Sequence, residues 1–451
     1  MLLMLSVHSS AQPEEWTPVP GSDSLVAYRE MNYSENLGMT VYLSGMFMNG
    51  RKVIAGYNGT NWEAITDSIS GFPSTFTDWA DGIVLGGGQH FINGMQMPNA
   101  AYYNGQEWTF PWVFNQSIRK FKVINDTLFA LGSFTQIDGQ DAFKIAKLVG
   151  DEWVGMLDPH PELENSGIFG DIEFYNGEYY VCGNFNPDGL PWDFAKLVDG
   201  NLEMVGQGVF GVLTGVSHLE VYQGDLYLSG LIPIQEGNIG SSILRWDGEN
   251  YYDLGSVFYN EFGGLTATGI TDMKLHNGYL YCSGNFFFFD ETPVHGIARW
   301  DGNQWCELYT QEFIQETDVI TYVGGFGYFE DEILLLIPYF YDEEDFDFDI
   351  LWSYDTNQEP NYCLDPLSVF DQNLFTEFQL YPNPSIGLVN LKSEKPIQRL
   401  TVFDALGKLV YQENTQYQTQ VQIDLSHLPK GLYLVQVEGE GFVGSRKLVL
   451  E

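Results

Sequence analysis

The chain has 451 residues, with 61 acidic against 19 basic side chains and a formal net charge of −42. A field of that sign repels phosphate backbones, anionic lipid and acidic glycans, which argues against a nucleic-acid partner. The length admits one large all-β domain and a smaller one, and four cysteines are too few for a disulfide framework.

Residues 1–7 are apolar and lead into Ser9 and Ala11, small residues spaced like a signal-peptidase site. The basic start of a signal peptide is missing, so residues 1–11 are read as a signal-peptide remnant. No later apolar run approaches the length of a membrane span. Trp16 resembles the tryptophans of later strands at Trp62, Trp108, Trp153 and Trp305. It predicts an orphan fourth strand that pairs into the last repeat and closes a ring, removing exposed sheet edges.

The repeats run from about residue 25 to 364. The clearest copy spans 277–308, N-G-Y-L-Y-C-S-G-N-F through G-I-A-R-W-D-G-N-Q-W-C-E-L. Asn277-Gly278 and Asp301-Gly302 each separate strand-like runs and predict two-residue hairpin turns, whose positive φ Gly and Asn/Asp tolerate. The copy therefore reads as a four-stranded meander. A glycine ending the second strand recurs at Gly45, Gly88, Gly132, Gly183, Gly230 and Gly284. A turn glycine before the fourth recurs at Gly59, Gly105, Gly150, Gly200, Gly248 and Gly302, at spacings of 46, 45, 50, 48 and 54 by subtraction. A period of about 40–50 residues with four strands per unit is a propeller signature. A seventh, worn copy lies in 333–364. The fold class expected for residues 12–364 is an all-β, seven-bladed β-propeller, six to eight blades being compatible. Turns between first and second strands and between third and fourth are short. The other connections are long and varied, and they emerge together on the opposite face. Variable loops on a rigid scaffold are where binding resides.

Residues 365–376 form a linker containing Pro366. Residues 377–451 change character, holding seven of the chain's 19 basic residues and alternating strands that predict a small Ig-like β-sandwich. This tail carries Tyr381-Pro382-Asn383-Pro384, Val402-Phe403-Asp404-Ala405-Leu406-Gly407-Lys408, Leu428-Pro429-Lys430-Gly431-Leu432-Tyr433 and a terminal Arg446-Lys447-Leu448-Val449-Leu450. In order and spacing these resemble the type A sorting domain of the type IX secretion system of Bacteroidetes. The resemblance implies Sec export, passage across the outer membrane, and a protein that is secreted or held at the outer cell surface. It implies the secretion machinery as a partner. It also implies a sorting signal carried by Pro382, Asn383, Pro384, Gly407, Lys430, Gly431, Tyr433, Arg446 and Lys447. The repeats, with L-Y-x-x-G-x-F and I-A-x-W-D-G-x-x-W, are similar to propeller units of bacterial surface proteins and of the fungal Rax2-type family, and more weakly to kelch repeats. That similarity specifies shape and no chemistry.

Candidate chemistry is sparse. Asp345, Asp347 and Asp349 alternate with Phe346 and Phe348, so in an extended chain the three carboxylates share one side. Such a set suits Ca²⁺, a hard ion that takes several oxygens. The competing reading is a solvated acidic loop. Phe286 to Phe289 could stack on a sugar ring or pack between blades. The repeated tryptophans read as inter-blade packing, and His90, His160, His218 and His295 show no ligand spacing. No H-E-x-x-H, G-x-S-x-G, P-loop or dinucleotide fingerprint occurs. The four cysteines are expected to be free, buried thiols, with a bridge between Cys306 and Cys363 as the alternative. The expected role is non-catalytic binding or adhesion to a glycan or surface protein through the variable-loop face. The alternatives are a carbohydrate-active enzyme with carboxylates near the central funnel, for which no pair stands out, and a structural part of the cell surface.

Overall fold

The computed structural model describes residues 16–19, 28–44, 54–66, 68–159, 163, 168–185, 193–209, 215–232, 242–254, 257–258, 269–284, 286, 288–289, 292–293, 296–308, 323, 325–337, 350–357, 362–363, 378–404, 409–439 and 442–450. The chain divides into two compact units, Met1–Leu364 and Asp365–Glu451. Among the described residues it is all-β, built from small antiparallel sheets without an α-helix.

Among the described residues of the first unit, seven sheets follow one plan, in which consecutive strands pair antiparallel. The first sheet comprises Tyr28–Ser34, Met39–Ser44, Ile54–Tyr57 and Trp62–Ala64, and the second Ile69–Trp79, Gly82–Ile92, Ala100–Tyr103 and Trp108–Thr109. The third holds Ile118–Ile124, Thr127–Gly132, Ile145–Val149 and Glu152–Gly155, and the fourth Ile168–Tyr175, Glu178–Asn184, Phe194–Val198 and Asn201–Met204. The fifth holds Val216–Tyr222, Asp225–Gly230, Ile243–Trp246 and Tyr251–Asp253. The sixth holds Ile270–His276, Tyr279–Gly284, Ile297–Trp300 and Trp305–Glu307. The seventh has three strands of its own, Phe326–Phe329, Glu332–Ile337 and Ile350–Asp355, and takes its fourth, Trp16–Pro18, from the start of the chain, with Trp16 opposite Tyr354. That is the pairing expected of the orphan strand.

Each hydrophobic core lies between two consecutive sheets. Leu131 and Ile145 of the third meet Phe169 and Val181 of the fourth, Leu219 and Leu228 of the fifth meet Tyr180 and Cys182 of the fourth, and Tyr281 and Ile297 of the sixth meet Phe326 and Ile333 of the seventh. Leu334 of the seventh sheet packs with Met31 and Tyr57 of the first. Two recurring tryptophans tie neighbouring sheets by hydrogen bonds as well. Trp108 Nε1–H donates to Ile65 O at 3.5 Å and Trp305 Nε1–H to Leu254 O at 2.6 Å.

The repeated glycines have a local cause. At Gly132, Gly183, Gly230 and Gly284 an added Cβ would overlap the carbonyl oxygen of Ser117, Ile168, Gly215 or Gly269, where the chain enters the first strand of the same sheet. The phenylalanine two residues on is fully buried at Phe134, Phe185 and Phe286, so core packing accounts for Phe286. The turn at Asn277-Gly278 has φ of 47° and 80°, as a two-residue hairpin requires. The turn at Asp301-Gly302 differs. Asp301 accepts at one carboxylate oxygen from the N–H groups of Asn303 and Gln304, at 2.7 and 2.8 Å, and only the glycine takes positive φ. Asn58, Asn104 and Asp247 do the same. An Asx side chain thus caps a four-residue loop where a tighter turn is expected from the dipeptide alone.

Cys182 and Cys282 are free and buried. Cys306 is disulfide-bonded, which corrects the expectation of a free thiol there. A two-residue strand, Tyr362–Cys363, adds to the outer edge of the sixth sheet and sets Cys363 opposite Cys306.

The second unit contains Phe378–Tyr381, Leu388–Asp404, Leu409–Asp424, Gly431–Gly439 and Phe442–Leu450. Leu388–Asp404 pairs with Phe378–Tyr381 near its start and with Gly431–Gly439 near its end. The unit's core contains Val389, Leu400, Val402, Val435 and Leu448.

Candidate functional site

The first strands of consecutive sheets contact one another, and each of the first six carries a bulge. The residue just past the bulge is Glu30, Thr75, Lys120, Asp171, His218 or Asp272. Two residues further on stand Asn32, Thr77, Lys122, Glu173, Glu220 and Lys274. A bulge re-aims a side chain and interrupts the ladder, which leaves backbone groups here to be satisfied by side chains of the neighbouring sheet. Glu30 accepts from Phe76 N–H at 2.9 Å, Thr75 from Phe121 N–H at 3.2 Å, Asp171 from Leu219 N–H at 3.1 Å and Asp272 from Phe326 N–H at 3.5 Å. Lys120 has no acceptor to offer at this place. Ile172 N–H bonds instead to Asp171 of its own sheet at 2.9 Å.

Two lysines, Lys122 and Lys274, neutralise carboxylates at both positions. Lys122 Nζ lies 3.3 Å from Asp171 and 2.8 Å from Glu173, and donates to Leu219 O at 2.8 Å. Lys274 Nζ lies 2.5 Å from Asp272 and donates to Met31 O at 3.0 Å and Phe326 O at 2.5 Å. One ammonium thus joins the sixth, seventh and first sheets. Burial raises both Asp171 and Asp272, but Lys122, Lys120, the Leu219 N–H and His218 at the first, and Lys274, His218 and Lys120 at the second, together hold them below the usual carboxylate range. Burial pushes Glu220 up to about 7, with Lys122 opposing and Asp171 and Glu173 adding to the rise. Burial lowers His218 to about 4 despite Asp272 and Asp171 nearby.

These residues escaped sequence reasoning, which treated His218 as scattered. The signal was present in four of the six copies as a polar residue twelve and ten places before the second-strand glycine: Lys120 and Lys122 before Gly132, Asp171 and Glu173 before Gly183, His218 and Glu220 before Gly230, and Asp272 and Lys274 before Gly284.

Asp345, Asp347 and Asp349 lie outside the described residues, and no group of three or more metal-ligating side chains occurs among the described ones. The loops that are described on the long-loop face carry small hairpins. Met95–Met97 pairs back on Gly82–Ile92, and Gln136–Ile137 pairs with Gln140–Asp141. Phe91, Met95 and Val113 in this region are 50%, 47% and 55% exposed.

In the tail, Pro382, Asn383 and Pro384 are exposed in the loop before Leu388–Asp404. Asn383 Oδ1 accepts Val449 N–H at 2.9 Å, and Ser385 N–H donates to Val449 O at 2.8 Å, which brings the first and last motifs together. Lys430 and Gly431 form the turn into Gly431–Gly439, where Tyr433 is buried and donates its hydroxyl to Pro429 O at 2.6 Å. Arg446 and Lys447 lie on the final strand, Phe442–Leu450, and Gly407 is outside the described residues.

Residues 379–451 match the family described as the secretion system C-terminal sorting domain. The chain carries a sorting tail. With that tail it is a type IX secretion substrate, delivered to the outer cell surface or released. No helix among the described residues is long and apolar enough to cross a membrane. No curated protein matches the sequence. Similar solved structures include the extracellular domain of a putative hybrid two component system from B. thetaiotaomicron, at 11% identity and TM-score 0.44, covering 97% of this chain and 58% of that one. Another is the extracellular domain of a putative one component system from the same organism, at 9% identity and TM-score 0.35, covering 94% and 68%. The chain thus spans a little over half the length of the first.

Proposed function

We propose that the first unit is a closed seven-bladed β-propeller that acts outside the cell as a non-catalytic binding module, engaging a glycan or surface protein through its long-loop face. The observation that carries this reading is the self-satisfaction of the two central tiers. Asp171, Glu173 and Asp272 are committed to Lys122 and Lys274, and Glu30, Asp171 and Asp272 each accept a backbone N–H from the next sheet. Such groups fasten the ring, which leaves recognition to the loops with exposed Phe91, Met95 and Val113. The experiment is a glycan and surface-protein array probed with the full chain, with and without Ca²⁺. Binding that weakens in Phe91→Ser and Met95→Ser supports the reading. Dependence on Ca²⁺ that disappears in Asp345→Asn and Asp347→Asn assigns the acidic loop of Asp345, Asp347 and Asp349 as a Ca²⁺ site.

A second reading rests on Glu220. A carboxyl near neutrality beside the ionised Asp171 is the split that acid–base hydrolysis uses. Release of reducing sugar from any arrayed oligosaccharide, abolished in Glu220→Gln, would replace the binding reading with a carbohydrate-active enzyme. In the tail, the sorting signal is assigned to Pro382, Asn383, Pro384, Gly407, Lys430, Gly431, Tyr433, Arg446 and Lys447. Alanine substitution at Asn383 with retention of the chain inside the cell is the test.

A further inference from the structure

The face that carries the tight turns has a cleft of its own. Trp79 closes the first strand of the second sheet, and Asp126 and Thr127 sit at the first turn of the third. Lys147 and Val149 end the third strand of that sheet, and Tyr179 opens the second strand of the fourth. Together they line an open cleft of about 400 Å³, within the range of small-ligand sites and large enough for one sugar ring. Trp79 is half-buried, so its indole is both anchored and reachable. Tyr179 is fixed by ring contacts to Phe129 at 5.3 Å and Phe174 at 5.0 Å. Lys147 Nζ stands 6.0 Å from the Tyr179 ring and has no carboxylate partner among the described residues. In a chain of net charge −42 a lysine without a carboxylate keeps its donors available. Asp126, exposed at φ 57° in a tight turn, supplies an acceptor opposite.

An aromatic wall, a charged donor and a charged acceptor around one small cleft match a ligand with an apolar ring face and several hydroxyls. The strongly negative field and Asp126 itself disfavour a carboxylated sugar. We infer that this cleft is a binding subsite for a neutral hexopyranose, on the face opposite the long loops and independent of what those loops hold. Trp79 stacks on the ring, Lys147 donates to ring hydroxyls, and Asp126 and Thr127 accept from them.

The test is titration of the full chain with neutral hexose oligosaccharides and with matched uronic-acid oligosaccharides, followed by tryptophan fluorescence and calorimetry. Saturable binding of a neutral oligosaccharide is expected, with affinity lowered at least tenfold in Trp79→Ala and in Asp126→Asn, and lowered in Lys147→Gln. Thermal melts of each variant check folding. If Trp79→Ala fails to fold, the exposed Asp126→Asn and the half-exposed Lys147→Gln decide alone. Absence of binding to every neutral oligosaccharide overturns the inference, as does a preference for the uronic acids. Affinities unchanged in Asp126→Asn and Lys147→Gln overturn it as well.

Discussion

At the scale of single residues, the central lysines matter most. Lys122 faces Asp171, Glu173 and Glu220 at the meeting of three sheets. Removing one partner of a buried ionic group strands the others, at a cost of about 3–5 kcal/mol. Lys122→Met is therefore expected to lower the urea midpoint sharply at pH 7 and to recover part of the loss near pH 5, where the stranded carboxylates take up protons. Glu220 gives a second pH signature. It is raised to about 7, so between the unfolded carboxylate range and pH 7 the folded chain holds a proton that the unfolded chain has released. Its contribution is fully present at low pH and falls as pH rises through that window. His218, lowered to about 4, acts in the opposite sense, because the unfolded chain alone takes up its proton below about 6.5. Glu220→Gln should thus be more stable relative to wild type at pH 8 than at pH 5, on the order of 1–3 kcal/mol in the difference. Denaturation at the two pH values checks it. None of these side chains stood out in the sequence. A polar residue on an alternating strand reads as solvent-facing, and only the contact between first strands turns that side into an interior.

At the scale of elements, glycine and the bulge work as a pair. In the third to sixth sheets the carbonyl leading into the first strand approaches the second-strand glycine so closely that a methyl group has no place. Gly183→Ala is expected to destabilise the fold by roughly 1–3 kcal/mol, seen as a lower melting temperature, whereas alanine at the open turn position Gly177 acts only through its φ of 86°. The four-stranded antiparallel sheets and the pairing of Trp16 with the last of them were legible in the sequence, because Gly132, Gly183, Gly230 and Gly284 lie at the ends of second strands and Trp16 repeats the fourth-strand pattern. The Asx-capped loop at Asp301 was not, since the dipeptide Asp-Gly serves two turn geometries equally. Residues 362–364 were expected as a strand of the worn seventh copy, whereas Tyr362–Cys363 pairs with Trp305–Glu307 at the edge of the sixth sheet, a placement that two residues without alternation do not encode. Truncation through residue 18 removes the partner of Ile350–Asp355. An edge so exposed pairs with other chains, and size-exclusion chromatography should show oligomers where the intact chain shows none.

At the scale of the whole molecule, the chain divides into two compact units, of which the second carries the sorting domain. Deleting residues 379–451, the segment matching the sorting domain, is expected to leave a folded first unit trapped inside the cell. Surface proteolysis of intact cells and fractionation check this, and a melting temperature unchanged in the purified first unit shows that only delivery was lost. The sorting tail was legible because Pro382, Asn383, Pro384 and the final Arg446 and Lys447 have fixed order. The ligand was not, because a scaffold of repeated hairpins leaves recognition to loops and clefts that follow no period.

The short strand Tyr362–Cys363 has a mechanical consequence. It is the last strand of the first unit among the described residues, and it runs antiparallel along Trp305–Glu307, in which Cys306 is disulfide-bonded. Traction on the C-terminal end therefore loads the rim of the sixth sheet sideways, along the strand axis, before any force reaches the seventh sheet and its borrowed strand. Bonds loaded in this direction share the strain and break together, while a peeling load would open them one by one. Single-molecule extension in oxidising and reducing buffer should record a higher rupture force with the cystine intact.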